Sequence, residues 1–148
     1  MGKTYKRIYR GNRDKYSVEH TAFRLEIQSA GSYSQLIVPA ATLSGMRKVK
    51  HLTISMASPA AGAGDHAYWA LVYVPQGTTP GSLNPGGSLY EPNQFVMSSG
   101  VFDFSAGPLR VRSPLSRNLN SGDAIYLVVN VEAAGLFYGV VQYAVTLQ

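Results

Sequence analysis

From Val18 onward the chain keeps one pattern: short runs rich in Val, Ile, Leu, Tyr and Thr, separated by Gly, Pro, Asn and Ser. In the first run, Val18 to Ser29, Phe23, Leu25 and Ile27 alternate with His20, Arg24, Glu26 and Gln28. Alternation at period two places one set on an apolar face and the other on a polar one, as in a half-buried strand. Ser34 to Pro39 is a short apolar run, and Arg47 to Ala57 carries Leu52, Ile54 and Met56 on one face. His66 to Pro75 is nearly all apolar, which predicts a strand covered on much of both faces. Gln94 to Phe102 and Leu109 to Ser113 follow. Ala124 to Glu132 alternates with Ile125, Leu127, Val129 and Val131 inward, and Phe137 to Leu147 with Val141, Tyr143, Val145 and Leu147.

Eight strands and no helix predict an all-β fold, a single eight-stranded jelly roll of two four-stranded antiparallel sheets. The length, 148 residues, is that of one domain. The domain runs from 18 to 148, after a short basic N-terminal arm, 1 to 17. In a jelly roll the first, third, sixth and eighth strands share a sheet, so Arg24, Gln28, Gln142 and Thr146 lie with Arg110 and Arg112. The last two are two positions apart and project to one face. Lys48 and Lys50 share the parity of the inward Leu52 and Ile54, which places them at a strand end beyond the core. The longest connection, Gln76 to Asn93, is rich in Gly, Pro, Ser and Asn, and a loop of that length is usually functional or an interface element. Ala57 to Gly64 is an exposed low-complexity loop, and Asn120-Ser121-Gly122-Asp123 is a turn.

Charge changes this picture. The arm carries Lys3, Lys6, Arg7, Arg10, Arg13 and Lys15 against Asp14 alone, a net +5, which is the formal charge of the whole chain. The body, with seven bases and seven acids, is neutral. A neutral domain with a cationic leader suits a polyanion held without reading its sequence. Tyr5 and Tyr9 lie among the arm's bases, and tyrosine rings stack on unpaired bases, which favours single strands over duplex. Charged residues are only 14% of the chain against roughly 25% in ordinary soluble domains. Some of the surface is therefore expected to meet protein rather than water.

Other chemistries find little support. There is no cysteine, hence no disulfide, thiolate metal site or cysteine nucleophile. His20, His51 and His66 fall on different strands without ligand spacing, and no His-X-His cluster of the kind used by metal-binding cupins occurs, so no metal and no cofactor is expected. No Gly-X-Ser-X-Gly elbow or Gly-Lys-Ser/Thr phosphate loop is present, and most acids stand singly on strand surfaces or turns. Ser98-Ser99-Gly100 reads as small residues at a close sheet contact. An enzyme is not expected. No apolar run reaches the ~18 residues of a membrane span, and the N-terminus lacks a signal-peptide core, so no membrane insertion is expected.

Several segments in order carry a resemblance. Tyr68-Trp69-Ala70-Leu71-Val72-Tyr73-Val74-Pro75-Gln76-Gly77 precedes Ser88-Leu89-Tyr90-Glu91-Pro92-Asn93-Gln94-Phe95-Val96-Met97. Ala106-Gly107-Pro108-Leu109-Arg110 and Ser113-Pro114-Leu115-Ser116-Arg117-Asn118-Leu119-Asn120-Ser121-Gly122-Asp123 follow. From about Met46 to Val131 the chain resembles the capsid proteins of small circular single-stranded DNA viruses that encode a replication initiator, the circovirus and nanovirus-like group. The resemblance implies a jelly roll assembled into a T=1 icosahedral shell, a homo-60-mer, around circular single-stranded DNA. It implies that Lys3 to Lys15 form the genome arm and that Arg24, Arg110 and Arg112 are inner-surface contacts. Loops Ala57 to Asp65 and Asp103 to Pro108 would gather at five-fold axes. Gln76 to Asn93 and Leu115 to Asp123 would gather near two- and three-fold axes.

The implied location is the virion, with a nuclear stage during assembly and an unidentified host receptor. The arm departs from the family pattern: it is short, and Lys6-Arg7 is its only adjacent basic pair, which weakens nuclear import as one of its roles. About 60 copies would bring roughly 300 net arm charges, against about a thousand phosphates on a circle of about a thousand nucleotides. Two other functions fit the residues: a jelly-roll module binding carbohydrate or another ligand, and a single-stranded DNA-binding protein that builds no shell.

Overall fold

The computed structural model describes residues 16–41, 46–57, 66–84, 86, 95–103, 108–113, 116–132 and 135–146. The arm bases Lys3 to Lys15, with Tyr5 and Tyr9, lie outside the described residues. So do 58–65 and 104–107 of the two loops assigned to five-fold axes.

Nine strands are present among the described residues, in chain order β1 (Tyr16–Ile27), β2 (Gly31–Val38), β3 (Arg47–Ala57), β4 (His66–Val74), β5 (Phe95–Asp103), β6 (Leu109–Arg112), β7 (Arg117–Leu119), β8 (Ala124–Val131) and β9 (Gly135–Thr146). They form two antiparallel sheets, β1-β9-β3-β6 with β7 also on β3, and β2-β8-β4-β5. Lettered B to I without the short β7, these are the B-I-D-G and C-H-E-F sheets of a jelly roll. The eight expected strands are all here. The ninth was not foreseen: three residues with one buried position, Leu119, contain no period to read. It makes the first sheet five-stranded rather than four-stranded. β1 begins at Tyr16, two residues inside the segment read as arm.

The two sheets share one core. Phe23, Leu25 and Ile27 of β1, Leu52, Ile54 and Met56 of β3, and Val141, Tyr143 and Val145 of β9 meet Trp69, Leu71 and Tyr73 of β4 and Ile125, Leu127 and Val129 of β8. Trp69 pairs with Gly100, and a Cβ at that glycine would lie 3.1 Å from the indole ring. A small residue is needed there because the ring occupies the space of a side chain. A second apolar cluster forms on the opposite face of the second sheet, where Ala70, Val72, Val74 and Val128 are buried with Leu83 and Tyr126 against them. The start of the long connection folds back to cover this cluster, held by Leu83 N–H donating to Ser32 Oγ (3.0 Å) and Asn130 Nδ2 donating to Asn84 Oδ1 (3.4 Å). That cover is why β4 is apolar on both faces.

The Asn120–Asp123 turn also ties elements together. Gly122 supplies φ +86°, and Asp123 N–H donates to Asn120 O (3.1 Å). The buried Asp123 carboxylate accepts from Tyr73 Oη (2.6 Å), Gln76 N–H (2.9 Å) and Asn120 N–H (2.8 Å). Arg117 of β7 lies 4.1 Å from the Tyr73 ring centroid, a cation–π contact that reaches from one sheet to the other. Gly122 N–H (3.1 Å) and Ser121 Oγ (3.2 Å) both donate to Ala41 O, past the end of β2. One carboxylate thus fixes the ends of β4, β7 and β8 together.

Burial is the largest influence on the Asp123 carboxyl and pushes its pKa up. The hydrogen bonds from Tyr73, Gln76 and Asn120 and the Arg117 charge together outweigh it and hold the group below the ordinary carboxylate range. Burial, followed by the Asp123 hydrogen bond and charge, pushes the Tyr73 phenol up, so it stays a protonated donor at neutral pH. A carboxyl lowered in the native state stabilises fully above its unfolded pKa, and that stability is lost as pH falls through the native value. Asp123→Asn should therefore melt at lower temperature than the parent at pH 7, and the gap should narrow below about pH 4. Asp123→Ala, which orphans buried donors, should cost more, about 1–3 kcal/mol for each donor left without a partner. Thermal melts from pH 2 to 7 test this; a gap independent of pH would remove Asp123 from the account.

Candidate nucleic-acid interface

The outer face of the first sheet depends on one irregularity in β3. Val49 pairs with Val145 and Lys50 with Ala144, but the next paired residue is Thr53, opposite Gln142. His51 is the extra residue of this bulge and has φ +56°, the only positive φ outside glycine among the described residues. The bulge shifts the alternation by one. Val49 is buried on one side of it and Leu52 on the other, while Lys48 and Lys50 fall on the outer face with Thr53 and Ser55. The sequence expectation for these lysines assumed unbroken parity and is corrected here: they lie on the outer face, within the sheet.

Four rows cross that face from β1 to β3, and two of them continue to β6. His20, Gln142, Thr53 and Arg112 form one row, and Ala22, Val140, Ser55 and Arg110 the next. Arg24, Tyr138 and Ala57 form a third, and Val18, Ala144 and Lys50 a fourth. Lys48 stands opposite Asn118 of β7. The Arg24 guanidinium lies 5.9 Å from the Tyr138 ring centroid. Arg112 Nη2 is 3.2 Å from His51 Nδ1. A guanidinium can only donate, so His51 Nδ1 accepts and carries no proton in this contact.

Among the described residues, the outer face holds Arg24, Lys48, Lys50, Arg110 and Arg112 against a single acid, Glu26. The opposite outer face, on the second sheet, has no base among its described strand positions except His66. His66 Nδ1 is 3.9 Å from Asp103 at the sheet's end. The neutral total of the body therefore conceals a division between a cationic face and one whose described strand positions hold no lysine or arginine and one acid, Asp103. Arg47 and Arg117 take no part in the cationic face. Arg47 donates to Pro39 O (2.9 Å) and Arg117 covers Tyr73, both at the end of the sandwich.

Three of the sequence candidates, Arg24, Arg110 and Arg112, are thus brought to one face in adjacent rows. Lys48, Lys50, His51 and Tyr138 join them and were not singled out from sequence. Tyr138 was readable from its parity opposite Val141 and Tyr143; the lysines were not, because the bulge carries no glycine to mark it. Among the described residues no group of three or more His, Cys, Asp or Glu could hold a metal ion.

No family model matches the chain, and no curated protein matches it. Similar solved structures come from viruses. A chain of broad bean stain virus aligns at 11% identity and TM-score 0.46, covering 90% of this chain and 88% of that one. A chain of Desmodium yellow mottle tymovirus aligns at 15% identity and TM-score 0.37, covering 91% of each. A chain of infectious bursal disease virus, Gx strain, aligns at 9% identity and TM-score 0.40, covering 91% of this chain but 32% of that one.

The bulge can be tested directly. A side chain in the left-handed conformation costs roughly 1–2 kcal/mol, more for β-branched residues. His51→Gly should leave stability near that of the parent, offsetting the lost Arg112 contact by relief of strain. His51→Val should destabilise by about 1–2 kcal/mol in urea unfolding. Equal stability of the two variants would mean that residue 51 does not hold a positive φ.

Proposed function

We propose that this chain is a viral coat protein that builds a closed shell and holds a single-stranded DNA genome on its basic side. The carrying observation is the division of the sandwich into a cationic outer face and one with no lysine or arginine among its described strand positions, with the +5 arm preceding β1 of the cationic sheet in the chain. The jelly roll supplies a rigid tile whose loops and edges meet other copies, and its low charge content suits large protein interfaces. The capsid-like segments from Met46 to Val131 support the same reading. Sixty copies in a T=1 shell, a circular genome and a virion location belong to this proposal. Its chemistry is electrostatic and stacking contact with no bond made or broken, so it is not an enzyme.

The charge balance fits this arrangement better than the arm alone does. With a net +4 per copy on the cationic face, about 60 copies add roughly 240 charges to the roughly 300 of the arms. That brings more than half of about a thousand phosphates within reach of protein charge, and counter-ions cover the remainder.

Expressed protein should elute from a sizing column as megadalton particles and show closed shells in micrographs. Deleting residues 1 to 17 should leave shells but lower the nuclease-protected DNA within them. A discrete small oligomer that ignores DNA would favour a ligand-binding module, and a DNA-bound monomer would favour a single-strand-binding protein without a shell.

Arg110→Ala combined with Arg112→Ala should reduce packaged DNA more than shell yield and flatten the salt dependence of DNA binding. If shell yield falls first, the two arginines belong to a subunit interface.

A further inference from the structure

The cationic face is not uniformly polar. Tyr138 and Val140 of β9 are 40% and 46% exposed at its centre. Beside them lies an open depression of about 450 Å³ lined by Ala22, Ser55, Ala57 and Pro108, with the Gly139 backbone between the two larger side chains. Small residues on both neighbouring strands create it: Ala22 and Ser55 flank Val140 in one row, and Ala57 flanks Tyr138 in the next. Arg24 is paired with Tyr138 on one side and Arg110 with Ser55 on the other, so the register sets an arginine at each margin of an apolar hollow.

We propose that this depression is a subsite for one unpaired nucleobase, which stacks on Tyr138 while Arg24 and Arg110 hold the phosphates on either side. The proposal rests on the coat-protein reading and names where on the inner face the strand is held. The volume lies at the low end for small-ligand sites, suited to one planar group rather than a length of chain. An aromatic ring beside arginines is the arrangement by which proteins hold single strands without reading sequence. A second copy of the same face is a poor occupant, because five bases would confront five bases. An acidic peptide would satisfy the arginines but would bring no planar surface to cover the exposed ring. Duplex is excluded by geometry, since its base faces are already covered by neighbouring pairs.

The experiment uses the full chain with two probes of equal length, oligo-dT and a fully abasic oligodeoxynucleotide, titrated at several salt concentrations. The two carry the same phosphates and differ only in bases. Oligo-dT should bind at least about fivefold more tightly. Tyr138→Leu keeps an apolar side chain and removes the ring. It should erase most of that preference while changing affinity for the abasic strand by less than about twofold. Arg24→Gln with Arg110→Gln should weaken both probes and reduce the salt slope by about 1.4. Ala57→Leu, which fills the hollow and leaves the ring in place, should also erase the preference, and it decides between the outcomes if Tyr138→Leu does not fold. Retention of the full preference in both variants overturns the subsite. Equal binding of both probes by the parent overturns the subsite alone, whereas binding of neither overturns the coat reading's DNA contact with it.

Discussion

Alternate positions of β1, β3 and β9 must meet alternate positions of β4 and β8 across one dry interior, and that requirement decides what the remaining residues can do. A strand has only two faces, so each residue committed to the core commits its neighbours to the outside. On the first sheet those neighbours are Arg24, Lys50, Arg110 and Arg112; on the second they are Ala70, Val72 and Val128. The contrast between the two surfaces is a by-product of core packing, and it gives a neutral domain a direction. Nothing in the net charge of the body reveals it.

Each outer surface is completed differently. The second sheet covers part of its outer face with the start of the β4–β5 connection, where Leu83 packs against the cluster of Ala70, Val72, Val74 and Val128, and leaves Leu36, Tyr68, Val96 and Val101 exposed. The first sheet leaves Tyr138 and Val140 exposed among its bases. A surface that is cationic and locally apolar is poorly satisfied by water alone and well matched to a strand that offers both phosphates and unstacked rings. β1 belongs to this sheet, and the basic arm precedes it directly in the chain.

The polar cluster around Asp123 bears on stability and, on the coat-protein proposal, on assembly. It fixes the Arg117–Asp123 segment against the start of the long connection through Gln76, and so presets the shape of one end of the sandwich. In the proposed shell, loops that are already ordered would lose less conformational entropy at a subunit contact. Buried hydrogen-bonded carboxylates are suited to this because their geometry is directional, whereas apolar contacts alone would let the loops slide.

Most of the architecture was legible in the chain itself. Period-two runs located the strands β1, β3, β8 and β9, a nearly continuous apolar run located β4, which is buried on much of both faces, and the turn at Asn120–Asp123 was marked by its residue types. The cationic arm and the pairing of Arg110 with Arg112 on one face were also readable, since both depend only on local order and alternation. Three features were decided in three dimensions. The bulge at His51 reverses the parity of Lys48 and Lys50, and it arises because β3 must align with both β9 and β6 while keeping Val49 and Leu52 in the core. The hollow beside Tyr138 exists only because Ala22, more than thirty positions away in the chain from Ser55 and Ala57, is brought alongside them across β9. The carboxylate of Asp123 looks like an ordinary turn residue until Tyr73, fifty positions away, donates to it. Alternation is a property of neighbours along the backbone and so is written in the sequence; register between strands is set by the packing of distant residues and is not.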